Sequence, residues 1–132
     1  MLVVAFCCPS VATAQVSQFD LNCTGNSDVY RDGKIVQEPF VQTIRVDFTK
    51  GEYCTDDCSE ILKIQEVNSI KITLVDESRK PSAISIYRNI RTIDRTNGGY
   101  KIEFMDSNSL QSLKADAVCN RAPFTPFPTT KF

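Results

Sequence analysis

The chain has 132 residues, no His, and 15 Lys plus Arg against 16 Asp plus Glu, a net charge of −1. That length allows one domain with a core of its own and no second domain. The missing His removes the Ser-His-Asp triad, the Cys-His dyad and every His-ligated catalytic metal, and no Lys/Arg cluster offers the electrostatic footprint of a nucleic-acid binder.

Residues 1–14 have the pattern of a signal peptide: an apolar run from Leu2 to Cys8, then a small-residue site, Ala12-Thr13-Ala14, before Gln15. The run is too short for a membrane span, which needs about 20 apolar residues, and Pro9 interrupts it. Cleavage would put the mature start at Gln15, so intact mass of the exported protein checks it. It would also remove Cys7 and Cys8, leaving Cys23, Cys54, Cys58 and Cys119. An even cysteine number in a small exported domain points to two disulfides. A four-thiolate zinc site fits less well, because only Cys54 and Cys58 form a closely spaced pair.

Strand signals follow in chain order. Phe19 to Thr24 reads as a short first strand. Ile44, Val46 and Phe48 then alternate with Arg45, Asp47 and Thr49, the period-two pattern of a half-buried strand. Lys50-Gly51 supplies a turn into Glu52-Tyr53-Cys54. Ile70, Ile72 and Leu74 make another strand, Asp76 to Pro81 reads as a polar connector, and Ser82 to Asp94 as a long β-branched stretch. Its parity slips between Ile84/Ile86 and Ile93, which a bulge or an inward Arg88 would absorb. Asn97-Gly98-Gly99 can supply the positive φ angles of a hairpin turn leading into Tyr100 to Met105. Helical spacing is confined to two brief stretches, Asp57 to Glu66 and Ser107 to Lys114. The end, Ala122 to Phe132, contains Pro123, Pro126 and Pro128 and reads as an extended tail.

Few residues suggest chemistry. Asp56-Asp57 and Asp76-Glu77 are carboxylate pairs, but chain neighbours usually point apart and both sit where a turn needs solvated groups. Glu52, Asp56, Asp57 and Glu60 surround the Cys54-x₃-Cys58 loop without EF-hand spacing, so a hydrated acidic loop is favoured over a calcium site. Cys54-x₃-Cys58 lacks the C-x-x-C spacing and α/β context of a redox pair. Phe124, Phe127 and Phe132 fit rings packed on the domain better than a recognition motif, and the tail prolines bar the closing strand of an outer-membrane barrel. Arg88, Arg91, Arg95 and Lys101 gather along the sequence around Asn97-Gly98, as a basic surface or a solvated face. Asn22-Cys23-Thr24 matches the glycosylation sequon, with Cys in its middle making a poor acceptor.

Four cysteines permit three pairings. A tight turn can join Cys54 to Cys58 unaided, which leaves Cys23 with Cys119, on the first strand and near the end of the domain.

Phe19-x-Leu21-x-Cys23-x-Gly25, Cys54-x₃-Cys58, Ile93-Asp94-Arg95-Thr96-Asn97-Gly98-Gly99-Tyr100 and Cys119 leading into Ala122-Pro123-Phe124 together resemble a loosely defined set of small exported β-rich proteins. That set is seen mainly among proteobacteria and has no assigned activity. The resemblance implies an antiparallel β-fold and a bacterial envelope setting, and it carries over no functional residues.

The expected protein is therefore all-β: about six antiparallel strands in a small sandwich or partly closed barrel. A signal peptide (1–14) precedes one domain (15–121), and a Pro/Phe tail (122–132) lies against it. Its disulfide residues are Cys23, Cys119, Cys54 and Cys58. No catalytic residue, cofactor or metal is expected, nor nucleic-acid binding or a membrane span. Function is expected to be non-catalytic binding or association in the periplasm or outside the cell, with an envelope protein as a candidate partner. A carrier of a small apolar ligand and an inhibitor of an exported protease are the alternatives.

Overall fold

Every regular element in the computed structural model is a β-strand, over the described residues 17–129. The expected signal peptide and Phe132 lie outside that range. The strands are β1 (Gln18–Arg31), β2 (Lys34–Asp47), β3 (Glu52–Thr55), β4 (Leu62–Lys63), β5 (Glu66–Val67), β6 (Lys71–Ser82), β7 (Ser85–Asp94), β8 (Gly99–Asp106) and β9 (Gln111–Ala122). They form one antiparallel sheet in the order β4-β3-β2-β1-β9-β8-β7-β6-β5.

This corrects the expected count of about six strands to nine among the described residues. β4 and β5 hold two residues each, too few to carry a periodic signal. β9 does alternate, with Leu113, Ala115, Ala117 and Cys119 inward, but two of those positions are alanines, which are weak strand formers. Neither expected helical stretch is helical. Asp57 to Glu66 is turn and short strand, and Ser107 to Leu110 is a turn that leads straight into β9.

Two further expectations change. Asp76 to Pro81 belongs to β6, and Pro81 is tolerated there because it falls in a register irregularity between Arg79 and Ser82. The parity slip is not in β7. The bulge sits on β6, where Leu74 is the extra residue between the pairs Thr73–Thr92 and Val75–Arg91. β7 pairs β8 without interruption, so its alternation holds throughout. Ile93 is inward, and with it Arg91, Asn89 and Tyr87, whereas Ile84, Ile86 and Arg88 stay outside.

The sheet curls into a half-barrel whose two ends meet at the seam between β4 and β5. Ile64 N–H donates to Gly51 O (2.9 Å), beside β3, and the next residue, Gln65, donates its N–H to Thr73 O (3.0 Å) on β6. One peptide step thus joins the opposite edges of the strand order. Inside this end lies the core: Phe19, Leu21, Cys23, Ile44, Val46, Tyr53, Ile72, Leu74, Ile93, Tyr100, Ile102, Ala115, Ala117 and Cys119.

Two disulfides brace it. Cys23 and Cys119 face each other directly across β1 and β9, the first and last long strands, and Cys54–Cys58 closes the loop after β3. On the outer face, the segment after Ala122 bonds to the sheet: Thr125 donates its N–H (3.1 Å) and hydroxyl (2.6 Å) to the Asp20 carboxylate, and Arg45 donates to Pro126 O (3.0 Å). Phe124 and Phe127 meet edge to face there, 5.6 Å apart.

Candidate functional site: the concave trough

Paired residues on neighbouring strands share a face, so the register gives the concave side rung by rung. One rung runs Ile72, Ile93, Tyr100, Ala117, Gly25, Phe40. Its two small residues leave room for two rings, and Phe40 and Tyr100 meet over them with centroids 6.0 Å apart. The Tyr100 hydroxyl crosses the interior from β8 to β2 and donates to Gln42 Oε1 at 2.9 Å. That bond roofs the core.

The next rung outward is Val75, Arg91, Ile102, Ala115, Ser27, Glu38. Arg91 stands one rung outward from the roof, and its positive charge acts on the Tyr100 hydroxyl. Its Nε–H donates to Asn89 Oδ1 (3.3 Å). Among the described residues no carboxylate lies within 4.0 Å of its guanidinium. Glu38, on the same rung, is already taken by Arg31 at 2.8 Å.

One rung further out come Glu77, Asn89, Phe104, Leu113, Val29 and Val36. Phe104, Leu113 and Val29 are half-buried and Val36 is 39% exposed, so this rung is a strip of uncovered apolar side chains on the inner face. Tyr87 borders it, edge to face with Phe104 at 5.9 Å.

The trough is open because β3 and β5 are short. Above Thr43, β2 has a neighbour on one side only, and so has β6 above Thr73. Side chains finish the pairing at the foot of this gap. Asp56 accepts from Thr43 N–H (3.2 Å) and donates its own N–H to Thr43 O (2.8 Å), while Gln65 accepts from Asp76 N–H (2.9 Å). Thr43 thus turns its backbone toward the gap, and so does Pro39 four residues earlier, which has no N–H to offer a foreign strand. At Pro39 the open edge therefore offers no donor to an added strand.

Burial pushes the Tyr100 hydroxyl up to about 12 from an ordinary value of 10.0, with Arg91 pulling the other way. Burial also raises Tyr53, again opposed by Arg91 and assisted by Glu60 and Glu77. A tyrosine that keeps its proton longer when folded contributes stability that is whole below its unfolded value, near pH 10, and is lost as pH climbs through about 12. Each pH unit of separation is worth about 1.4 kcal/mol. Denaturant melts at pH 9 and pH 11 should show a steeper loss for the wild type than for Tyr100→Phe, and equal slopes would contradict this.

The other residues singled out by sequence do not converge. Asp56 serves Thr43, Asp57 accepts from Ser59 N–H (3.1 Å), and Glu52 pairs with Lys63 (3.5 Å). Asp76 and Glu77 point to opposite faces of β6, as strand neighbours must. Among the described residues no three Asp, Glu or Cys side chains gather as a metal site. The expected basic surface is also dispersed: Arg88 pairs with Glu103 outside (3.5 Å), Arg95 donates to Asn68 O (2.6 Å), and Arg91 is inside. A depression of about 310 Å³ on the outer face, along Ile90, Thr92, Lys101, Glu103, Lys114 and Asp116, mixes charged with apolar side chains. No protein-family model, curated protein or solved structure matches the chain.

Proposed function

We propose that this is an exported, non-catalytic binding protein of the bacterial envelope or periplasm, whose concave trough holds a small ligand. The observation that carries the reading is the rung of Val29, Val36, Phe104 and Leu113, uncovered apolar side chains on the inner face of a half-barrel. Apolar surface of this kind is costly to leave in water and marks binding grooves. Two disulfides and the Ala12-Thr13-Ala14 site favour an oxidising, exported setting. The lack of His, with no activating base identified beside a hydroxyl among the described residues, favours binding over turnover. The Cys54–Cys58 loop gives less support to a protease inhibitor, because Asp56 and Cys58 have φ of 52° and 55°, a coiled backbone rather than an extended one.

Nile red, a neutral apolar dye, tests the trough. Its fluorescence should rise saturably at one dye per protein, and Val36→Asp, at a partly exposed position, should weaken it by about tenfold. Absence of saturable binding by the folded protein would refute the reading.

A further inference from the structure

The trough is not uniformly apolar, and a cation, Arg91, is placed at its inner end. It stands on the rung between the Tyr100–Gln42 roof and the apolar strip of Phe104, Leu113, Val29 and Val36. Of its five N–H donors, Nε–H is used by Asn89, so the terminal nitrogens retain donors. A guanidinium with donors to spare beside apolar surface is left where a planar anion can take both terminal nitrogens together.

We propose that the trough takes an amphipathic monocarboxylate, its carboxylate held by Arg91 and its apolar body laid over Phe104, Leu113, Val29 and Val36. This rests on the binding reading above and names its ligand class. Two physical limits narrow the class. Successive inward positions on a strand are about 6.8 Å apart, so the strip beyond Arg91 matches a phenyl ring or a chain of about six carbons. Charge near the site sets the other limit: Glu38 shares the rung of Arg91 and Glu77 lies one rung outward. Arg91 can offset one ligand charge, and a second, with no cation to pair it, is repelled by these carboxylates, which separates a monocarboxylate from a dicarboxylate or a phosphate.

Hexanoate and its neutral isostere hexanamide distinguish the parts. In nuclear magnetic resonance titrations of the wild-type protein, hexanoate should shift the Arg91 Nε–H and Tyr100 ring signals saturably, and hexanamide should bind about tenfold more weakly without moving Arg91. Arg91→Gln should weaken hexanoate by about the same factor and leave hexanamide unchanged, and Arg91→Lys should fall between. If Arg91→Gln does not fold, the wild-type comparison of the two probes still decides. Equal binding of hexanoate and hexanamide would overturn the carboxylate assignment while leaving the trough as a binding site. So would Nile red binding with no response to hexanoate. Hexanoate shifts confined to outer-face residues would overturn it too.

Discussion

Replacing Cys23 and Cys119 together by Ala should lower the thermal midpoint by roughly 20 °C, far more than the same change at Cys54 and Cys58. The two bridges close loops of very different size, with sequence separations of 96 and 4. In the chain-entropy account a loop of about 100 residues is worth about 4.7 kcal/mol and one of about five residues about 2 kcal/mol. The long bridge joins β1 to β9, the pair at the middle of the strand order, so its loss frees the two halves of the half-barrel in the unfolded chain. The short one constrains only the loop after β3, which Asp56 already ties to Thr43. Circular dichroism melts of both double variants measure the difference. A larger loss for the Cys54/Cys58 variant would mean that loop closure is not the dominant contribution of these bridges.

The legible parts of this fold are those where apolar alternation coincides with the core. Ile44 and Val46, Ile72, and Tyr100 and Ile102 announce their strands because each faces the packed end. β1 beyond Gly25 and β2 before Phe40 lead into the open trough, where Asn26, Ser27 and Asp28 carry no such pattern. They are strands because β1 is paired on both sides, by β2 and β9, and the ladder overrides weak propensity. A usable signal does exist at their junction. Asp32-Gly33 has φ of 51° and 78°, the two positive values a two-residue hairpin turn requires, and Asp-Gly is among its commonest sequences. At Asn97-Gly98-Gly99 only Gly98 (φ 75°) uses the left-handed region, because Asp94 O receives the Gly98 N–H (2.9 Å) and the loop has four residues rather than two.

The inward orientation of Arg91 is hidden in the sequence for a related reason. With Ile84 and Ile86 read as inward, the parity of the stretch slips and Arg88 becomes the inward candidate. The safer anchor is Ile93, next to the turn and 3% exposed, from which strict alternation puts Arg91 inside. Ile84 and Ile86 belong to the far end of the sheet, where the core does not reach, and are 89% and 47% exposed. Apolar identity alone does not fix a face where neither side is buried.

Gly25→Ala should destabilise the protein by about 3 kcal/mol, against the usual trend that a Gly-to-Ala change in a strand is neutral or favourable. The reason is contact, not backbone conformation. β1 and β9 approach so closely at this rung that a Cβ on Gly25 would press on the Asp116 carbonyl and lie 2.6 Å from Ala117 Cα. Both obstacles are backbone, so neither can rotate away, and relief requires the central strands to part. The same rung must hold the Phe40 and Tyr100 rings and the Tyr100–Gln42 bond that roofs the core, so the displacement propagates into the floor of the trough. Gly51→Ala supplies the matched control. Gly51 has φ 64° and open space for 4 Å around the point an alanine methyl would occupy, so that change isolates the left-handed backbone cost of about 1–2 kcal/mol. Denaturant unfolding should therefore rank Gly25→Ala below Gly51→Ala in stability, and Gly25→Ala should also lose Nile red binding under conditions where it remains folded. The reverse ranking would show that β1 and β9 can separate at this point at little cost, and that the narrow waist of the half-barrel is not what fixes the trough.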